Sequence, residues 1–300
     1  MRAVLTVTPC VMNSWDYNKM ILIDGRKISS DILQNVKTEV EKLSFVPVFC
    51  DVLVGDDFAS KKYVEMKAKK AENAGFKFHS ASFDASITTE DLIKEIEKIN
   101  KIENMCGVIV QLPLPAHIDE QKVLNAIDPD LDVDALGSVV NDKFYAGEDS
   151  LKLPTALACM HILDSLHLDL SDKKIVVLGQ GKLVGRPVTQ MLRLRGLKPE
   201  TVDSSTSNQE AILQNANIII SAIGKGAHIK GSMIKTGVVI IDAGTSESGA
   251  GLAGDVDLES VKDVAGYVSP VPGGVGPVTI AMLFSNVLEV AKQKNANPQQ

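Results

Sequence analysis

Cysteine is scarce and scattered. The four present, Cys10, Cys50, Cys106 and Cys159, form no CxxC pair, which argues against a disulfide framework or a thiolate zinc site and leaves reduced thiols of a cytoplasmic protein as the expectation. The five histidines add no metal-ligand spacing, since His161 and His167 lie six apart and off a common helical face. No metal is expected. Positive charge is not in excess either. Against 38 acidic residues stand 31 basic ones, a net charge of −7, so neither a nucleic-acid nor a membrane partner is expected. No run reaches ~18 consecutive apolar residues, the length a bilayer-crossing helix needs. Residues 1–19 lack the apolar centre of a signal peptide. They read as an N-terminal extension of unknown role, and "MILIDGRKIS" from Met20 reads as the start of the fold.

What is present is ordinary globular composition, 45% hydrophobic and 23% charged over 300 residues, enough for two domains at roughly 150 residues each. Strand-like runs alternate with helical ones. "ISSDILQNVKTEVEKL" has helical spacing with Ser29 or Ser30 as the expected N-cap, and "TTEDLIKEIEKIN" is capped by Thr88 or Thr89. "PVFCDVLVG", "FKFHSASF" and "GVIVQLPLP" read as strands. A second cycle contains "KIVVLG", "NIIISAIG", "GVVIIDAG" and "AGYVSP", and closes on the helix "PVTIAMLFSNVLEVAKQK". Such alternation implies α/β architecture with largely parallel sheets. The boundary falls near residue 150, and the last helix is expected to return to the first domain because chain termini commonly lie close together.

"VVLGQGKLVG" stands between a strand and a helix. Gly179 and Gly181 permit a tight turn and close approach of the backbone to a phosphate, and the helix N-terminus offers free N–H groups to the anion. The spacing GxGxxxG is one residue longer than the usual fingerprint, so a purely structural turn is the competing reading. Asp203 ends the next strand, 24 residues beyond Gly179, about where an acid meets an adenosine ribose. A carboxylate there accepts from both ribose hydroxyls and repels a 2′-phosphate. Gln180 offers no compensating charge, although Lys182 and Arg186 are near. The pattern admits NAD or NADP and favours NAD, with a plain turn aspartate as the alternative.

In "SKKYVEMKAKKAENAG", Ser60, Tyr63 and Lys67 fall within about 60° on a helix. Val64, Ala68 and Ala71 mark the buried face, with Lys67 at its edge, while Lys61, Lys62 and Lys69 point to solvent. Partial desolvation disfavours the ammonium and suits proton transfer; the bland reading is a lysine that snorkels. Gln111 ends a strand, where α/β sheets bind ligands, and its amide suits a water or a carbonyl. "DPDLDVDALG" is either an acidic site or a solvated turn. "SPVPGGVGPVT" is either a stiff loop against a flat ligand or a structural crossover.

Together with "GDVD" at 254–257 and "LDVDALG", these stretches occur in the order of the methylenetetrahydrofolate dehydrogenase/cyclohydrolase family, which the chain resembles from roughly residue 20 to 293. The resemblance implies an N-terminal three-layer α/β catalytic domain that binds folate (20–148 plus 277–300) and a C-terminal Rossmann-like domain with a mostly parallel sheet (149–276). It implies oxidation of 5,10-methylenetetrahydrofolate with NAD(P), then hydrolysis to 10-formyltetrahydrofolate, in one-carbon metabolism that feeds purine biosynthesis, by a homodimer. It assigns proton chemistry to Lys67, folate positioning to Tyr63, a hydrogen bond on the lysine to Gln111, and the pterin's amide-like edge to Asp134. Leu112 and Pro113, and the loop of Pro272, Gly273, Gly276 and Pro277, would line the substrate cleft. Thr155, Gly179, Gln180, Gly181, Lys182, Val184, Gly185, Asp203 and Ser204 would hold the cofactor.

The chain departs from the family pattern chiefly on the cofactor side. Leu131 and Ala135 replace the lysine and glycine of K-D-V-D-G, and "LPTALA" keeps only Thr155 of P-C-T-P-x-G. "GQGKLVG" stands for G-[RA]-S-x-x-V-G, and "DSST" for H-S-x-T. A dehydrogenase with weakened hydrolysis, or a non-catalytic folate- or nucleotide-binding regulator, are the alternative functions. A shikimate-dehydrogenase-like enzyme shares the two-domain plan but not VQLPLP or PVPGGVGP.

Overall fold

The computed structural model describes residues 20–248 and 251–296, so the N-terminal extension read from residues 1–19 lies outside the described residues. The elements run β1 (Ile21–Leu22), α1 (Gly25–Val40), β2 (Val48–Val54), α2 (Phe58–Asn73), β3 (Lys77–Phe83), α3 (Thr89–Ile99), β4 (Met105–Val110), α4 (Glu120–Asn125) and α5 (Ser138–Ala146). The second half follows with α6 (Pro154–Ser165), β5 (Ile175–Leu178), α7 (Gly185–Leu194), β6 (Glu200–Val202), α8 (Gln209–Asn215), β7 (Ile218–Ser221), β8 (Val239–Asp242), the hairpin β9 (Ser246–Ser248) and β10 (Gly251–Ala253), α9 (Leu258–Val261), β11 (Tyr267–Val268) and α10 (Val275–Ala296).

The first lobe is built on a parallel sheet in the order β3-β2-β4. Every residue of β2 and β4 is buried, the mark of strands covered on both faces. The second lobe carries a parallel sheet ordered β1-β11-β8-β7-β5-β6. Its strands alternate between two cores. Ile175, Val177, Ile218 and Ile220 face one; Val176, Leu178 and Ile219 face the other. The first of these cores is continuous with the interior of the first lobe through α6 and α10.

Helix α10 is the one described element long and apolar enough to cross a bilayer by length and composition, but two thirds of it is buried within the fold. It packs along α1 and α6 and over β4. Phe284 sits edge-on to Phe49 at 5.4 Å and stacked on Phe76 at 5.6 Å.

Three expectations need correction. The α1 N-cap is Asp24, whose Oδ1 accepts from Arg26 N and Lys27 N at 3.0 Å each. Ser29 is instead buried inside the helix and donates its hydroxyl to the Pro277 carbonyl at 2.8 Å. Gly25, the first helical residue, is wedged against the loop after β11, where a Cβ would come 1.9 Å from Gly274 O. Residues 21–22, assigned by sequence to the first domain, hydrogen-bond β11 and so extend the second sheet. The short elements α4, α5, α8 and α9 and the β9–β10 hairpin were not expected, being too brief to show a period.

Candidate functional site

Asp57 caps α2 by accepting from Ser60 N at 2.8 Å, and this sets the helix phase. Tyr63 and Lys67 then lie one turn apart and face the carboxyl ends of β2 and β4. Lys61, Lys62 and Lys69 are exposed, as their phase requires, whereas Lys67 is only 3% exposed. Its Nζ donates to Gln111 Oε1 at 2.8 Å and lies 4.9 Å from the Tyr63 ring centroid. Gln111 is held in turn: its backbone N–H donates to Val52 O at 2.8 Å, and its Nε2 donates to Leu112 O at 3.1 Å.

The sequence reading missed the closest partner. Asp51, in the middle of β2 and fully buried, brings Oδ2 to 2.6 Å from Lys67 Nζ. Its other oxygen has no hydrogen-bond partner. Burial raises the Asp51 carboxyl above its ordinary range, and the lysine charge partly offsets this. The expectation for Lys67 at a core edge was desolvation alone, which disfavours charge. A buried counter-ion acts the other way. The available signal was an acid inside "VFCDVLV", a run otherwise free of charge.

A cavity of about 190 Å³ opens on this group. Tyr63, Lys67, Gln111, Leu112 and Asp134 line it from the first lobe, with Thr155 and Leu183 from the cofactor side and Thr279, Ile280 and Leu283 from α10. The α10 residues were not foreseen, since the sequence reading took this stretch only as a helix.

Asp134 is carried on a loop that Asp132 organises. Asp132 is buried and its Oδ2 accepts from Gly137 N at 2.7 Å, so of the acids in this stretch it has a structural task. Ala135, where the family has glycine, takes φ +55°, a left-handed conformation that costs a side chain roughly 1–2 kcal/mol. Leu131 is buried and its carbonyl accepts from Val108 N at 2.8 Å, which ties the loop to β4. Asp134 itself is pushed up to about 7, by burial first, with Lys67 opposing and Asp132 and Asp51 adding to the rise. Tyr63 is pushed up to about 12 by burial and by the charges of Asp134 and Asp51, although the side chain as a whole is 38% exposed.

The expected loop residues divide. Gly276 is exposed with open space at its Cα, and Gly273 takes φ +111°. Pro277 lies instead beside α1, lining a separate groove with Arg26, Ser29 and Lys70. Pro113, after the cis Leu112–Pro113 bond, is exposed and does not line the cavity.

On the second lobe, β6 and β7 flank β5 on opposite sides, which makes the carboxyl end of β5 a topological switch point where such sheets bind ligands. Gly179 follows β5 with φ +92°, and a Cβ there would come 2.5 Å from Ala222 O. Gly185 opens α7 so close that a Cβ would come 1.8 Å from Gly179 O. Gly181, by contrast, has nothing within 4 Å; packing does not require glycine there, whereas a backbone approaching a phosphate does. Val184 is the α7 N-cap position, with no side-chain cap; Arg186 N donates to Gly181 O at 3.2 Å and Pro187 has no N–H, so the helix end offers an anion chiefly the N–H of Gly185. These features fit a dinucleotide.

Gln180 turns inward, Nε2 donating to Gly179 O at 3.0 Å. Lys182 reaches across to the first lobe, its Nζ 2.7 Å from Glu120 Oε1. Asp203 and Ser204 are exposed. Asp203 Oδ1 accepts from Ser205 N at 2.9 Å and Ser205 Oγ at 2.6 Å, which holds its carboxyl below the usual range. One carboxylate oxygen thus serves the turn, as the plainer reading had it. The GDVD stretch has structural work: Asp255, fully buried, accepts from Ser221 Oγ, Ile223 N and Lys225 N at 2.7, 2.9 and 2.8 Å. It fixes the loop after β7 beside the glycine turn. Among the described residues no cluster of His, Cys, Asp and Glu could hold a metal.

Comparison with known proteins agrees with this geometry. The profile of the tetrahydrofolate dehydrogenase/cyclohydrolase catalytic domain matches residues 23–134, and that of the corresponding NAD(P)-binding domain matches residues 154–295. The bifunctional protein FolD of Macrococcus caseolyticus (strain JCSC5402) is 38% identical over 275 residues, covering 91% of this chain and 98% of its own. The FolD methylenetetrahydrofolate dehydrogenase/cyclohydrolase of Campylobacter jejuni superposes with a TM-score of 0.88 at 34% identity, covering 92% of this chain and 99% of its own. The Trypanosoma brucei enzyme, solved with NADP cofactor and inhibitor, gives 0.86 at 32% identity over 92% of this chain and 98% of its own.

Proposed function

The chain belongs to the tetrahydrofolate dehydrogenase/cyclohydrolase family, and from that premise we propose how its own residues divide the work. Its activities are those of a methylenetetrahydrofolate dehydrogenase and a methenyltetrahydrofolate cyclohydrolase in one-carbon metabolism. The observation that carries the division is one cavity lined by Lys67, Gln111 and Asp134 together with Thr155 and Leu183 from the cofactor lobe.

Asp134 binds the donor edge of the pterin, where a carboxylate accepts two parallel N–H bonds. Tyr63 orients the ring system beside the lysine. When bound, the nicotinamide nucleotide accepts the hydride that leaves the methylene carbon. Gly179, Gly181, Val184 and Gly185 present backbone to its phosphates, with Thr155, Gln180, Lys182, Asp203 and Ser204 around it. The product left in the cavity is a resonance-stabilised cation, so its carbon needs no further activation toward water. The attacking water must instead lose a proton, and Lys67 Nζ is the group that takes it, within hydrogen-bond reach or through one water. Gln111 holds that amine by the 2.8 Å hydrogen bond. Collapse of the adduct breaks the bond to N5 and leaves the formyl group on N10; the adduct hydroxyl gives up its proton as N5 gains one, so the net release is the single proton taken from water.

The cofactor reading favours NAD. Gln180 carries no charge to meet a 2′-phosphate, and Asp203 has one oxygen outside its turn to accept from ribose. NADP bound in the Trypanosoma brucei structure makes both nucleotides the comparison to run. Purified protein should reduce NAD in preference to NADP with methylenetetrahydrofolate, judged by kcat/KM; a clear NADP advantage refutes the preference. Lys67→Met should cut cyclohydrolase turnover by at least ~10²-fold, as for a lost general base; near wild-type turnover removes Lys67 from that role. A homodimer is part of the same proposal, and a monomeric mass by light scattering at micromolar concentration would contradict it.

A further inference from the structure

β2 is a seven-residue strand buried along its whole length, and six of its residues are Val, Phe, Cys and Leu. The seventh is Asp51, with no exposed surface. Burying an ionised carboxylate is unfavourable unless it is paired, and nothing in the packing of this strand calls for one. Its Oδ2 lies 2.6 Å from Lys67 Nζ, while Oδ1 has no hydrogen-bond partner. The carboxylate is therefore not held by a backbone loop, as Asp132 and Asp255 are. Its one compensating contact is the amine that the proposed function places at the reacting water.

We infer that Asp51 is a positioning residue for hydrolysis: it anchors Lys67 at the floor of the cleft and, as its buried counter-ion, sets the pH at which that amine becomes able to take a proton from water. The inference rests on Lys67 as the proton acceptor. The amine is approached from three directions. Asp51 comes from β2, the neutral Gln111 amide from the end of β4, and the Tyr63 ring from its own helix. Asp134, on the loop before α5, is a fourth group, whose charge interacts with Lys67 without contact. Of these only Asp51 is both charged and in contact, so it is the one charge held directly against the amine. A carboxylate favours the ammonium form.

The test is the pH dependence of kcat/KM for methenyltetrahydrofolate hydrolysis, which reports groups of the free enzyme, after subtraction of the buffer rate. Asp51→Asn keeps the shape and removes the charge; Asp51→Val makes β2 uniformly apolar, with a residue suited to a central strand. Both should move the rising limb of hydrolysis toward acid by at least about one pH unit, a tenfold change in proton occupancy. The position of the limb is the readout, since a merely structural residue would change its height and leave its position. Asp134, pushed up to about 7, serves both reactions, so a limb common to dehydrogenase and hydrolase profiles is assigned to it. A hydrolysis-specific limb that stays within about a third of a unit in folded variants overturns the inference. Lys67→Met is the separate control: if it hydrolyses like the wild type, the reading of Lys67 fails, whatever Asp51 does.

Discussion

Replacing Lys67 by Met leaves Asp51 alone in the interior. Both side chains are buried, at 3% and 0% exposure, and the carboxylate's second oxygen has no partner to fall back on. Breaking such a pair by removing one member destabilises by about 3–5 kcal/mol. The carboxyl has an escape, which is to take up a proton. In the unfolded chain it titrates near an ordinary aspartate value of about 3.9. In the folded variant its pKa is raised well above that. Between the two values the folded state binds the extra proton, so stability falls as pH rises, by ~1.4 kcal/mol per unit. The penalty therefore grows as pH rises above the ordinary aspartate value, toward the range for broken buried pairs. Urea unfolding of wild type and variant at pH 5 and pH 7 measures it, taking the variant-minus-wild-type difference at each. A loss equal at pH 5 and pH 7 would refute the account of Asp51 as an otherwise unsupported charge. The double variant Lys67→Met/Asp51→Leu should lose the pH dependence and recover most of the stability, since apolar replacement of a buried pair is often neutral or better.

Asp134, pushed up to about 7, is ionised only above that pH, so kcat/KM for both folate reactions should rise through about pH 7; Asp134→Asn should remove that shared limb, and its persistence would assign the limb elsewhere. Its raised pKa also favours the folded state at low pH, an advantage lost as pH climbs from the ordinary aspartate value toward 7. Phe284→Ala, which strips the ring packed on Phe49 and Phe76, should cost about 3–5 kcal/mol in denaturant unfolding; a loss below 1 kcal/mol would mean that α10 is not the central helix of the shared core. Gln180→Arg combined with Asp203→Ser should swing the NAD-to-NADP ratio of kcat/KM toward NADP by at least ~10-fold, the worth of one charge-assisted contact; an unchanged ratio would place discrimination outside this loop.

Much of the fold was legible before folding because its signals are local. Strands buried on both faces read as continuous apolar runs, and β2, β4, β5, β7 and β8 did so. Helices of eleven residues or more, such as α3 and α10, declare their period. Tyr63, Lys67 and Gln111 could be offered as candidates because a helical turn and a strand end fix where such side chains point; the family resemblance then chose them over a snorkelling lysine. The glycines of the cofactor turn were legible for the same reason, since the steric demand at Gly179 is met within a few residues.

What tertiary structure decided are the pairings between segments distant in sequence. Nothing local joins Asp51 to Lys67, because each belongs to an element with its own sufficient explanation. Only the packing of α2 on β2 brings a strand carboxylate to a helix amine. The same holds for β1, two residues long and adopted by the second sheet, and for α10, whose Thr279, Ile280 and Leu283 serve the cavity from one end of a core helix. Sequence specified which chemical groups exist and which local shapes they take. Distance between them, and therefore charge state in a medium without water, is a property of the assembled interior alone.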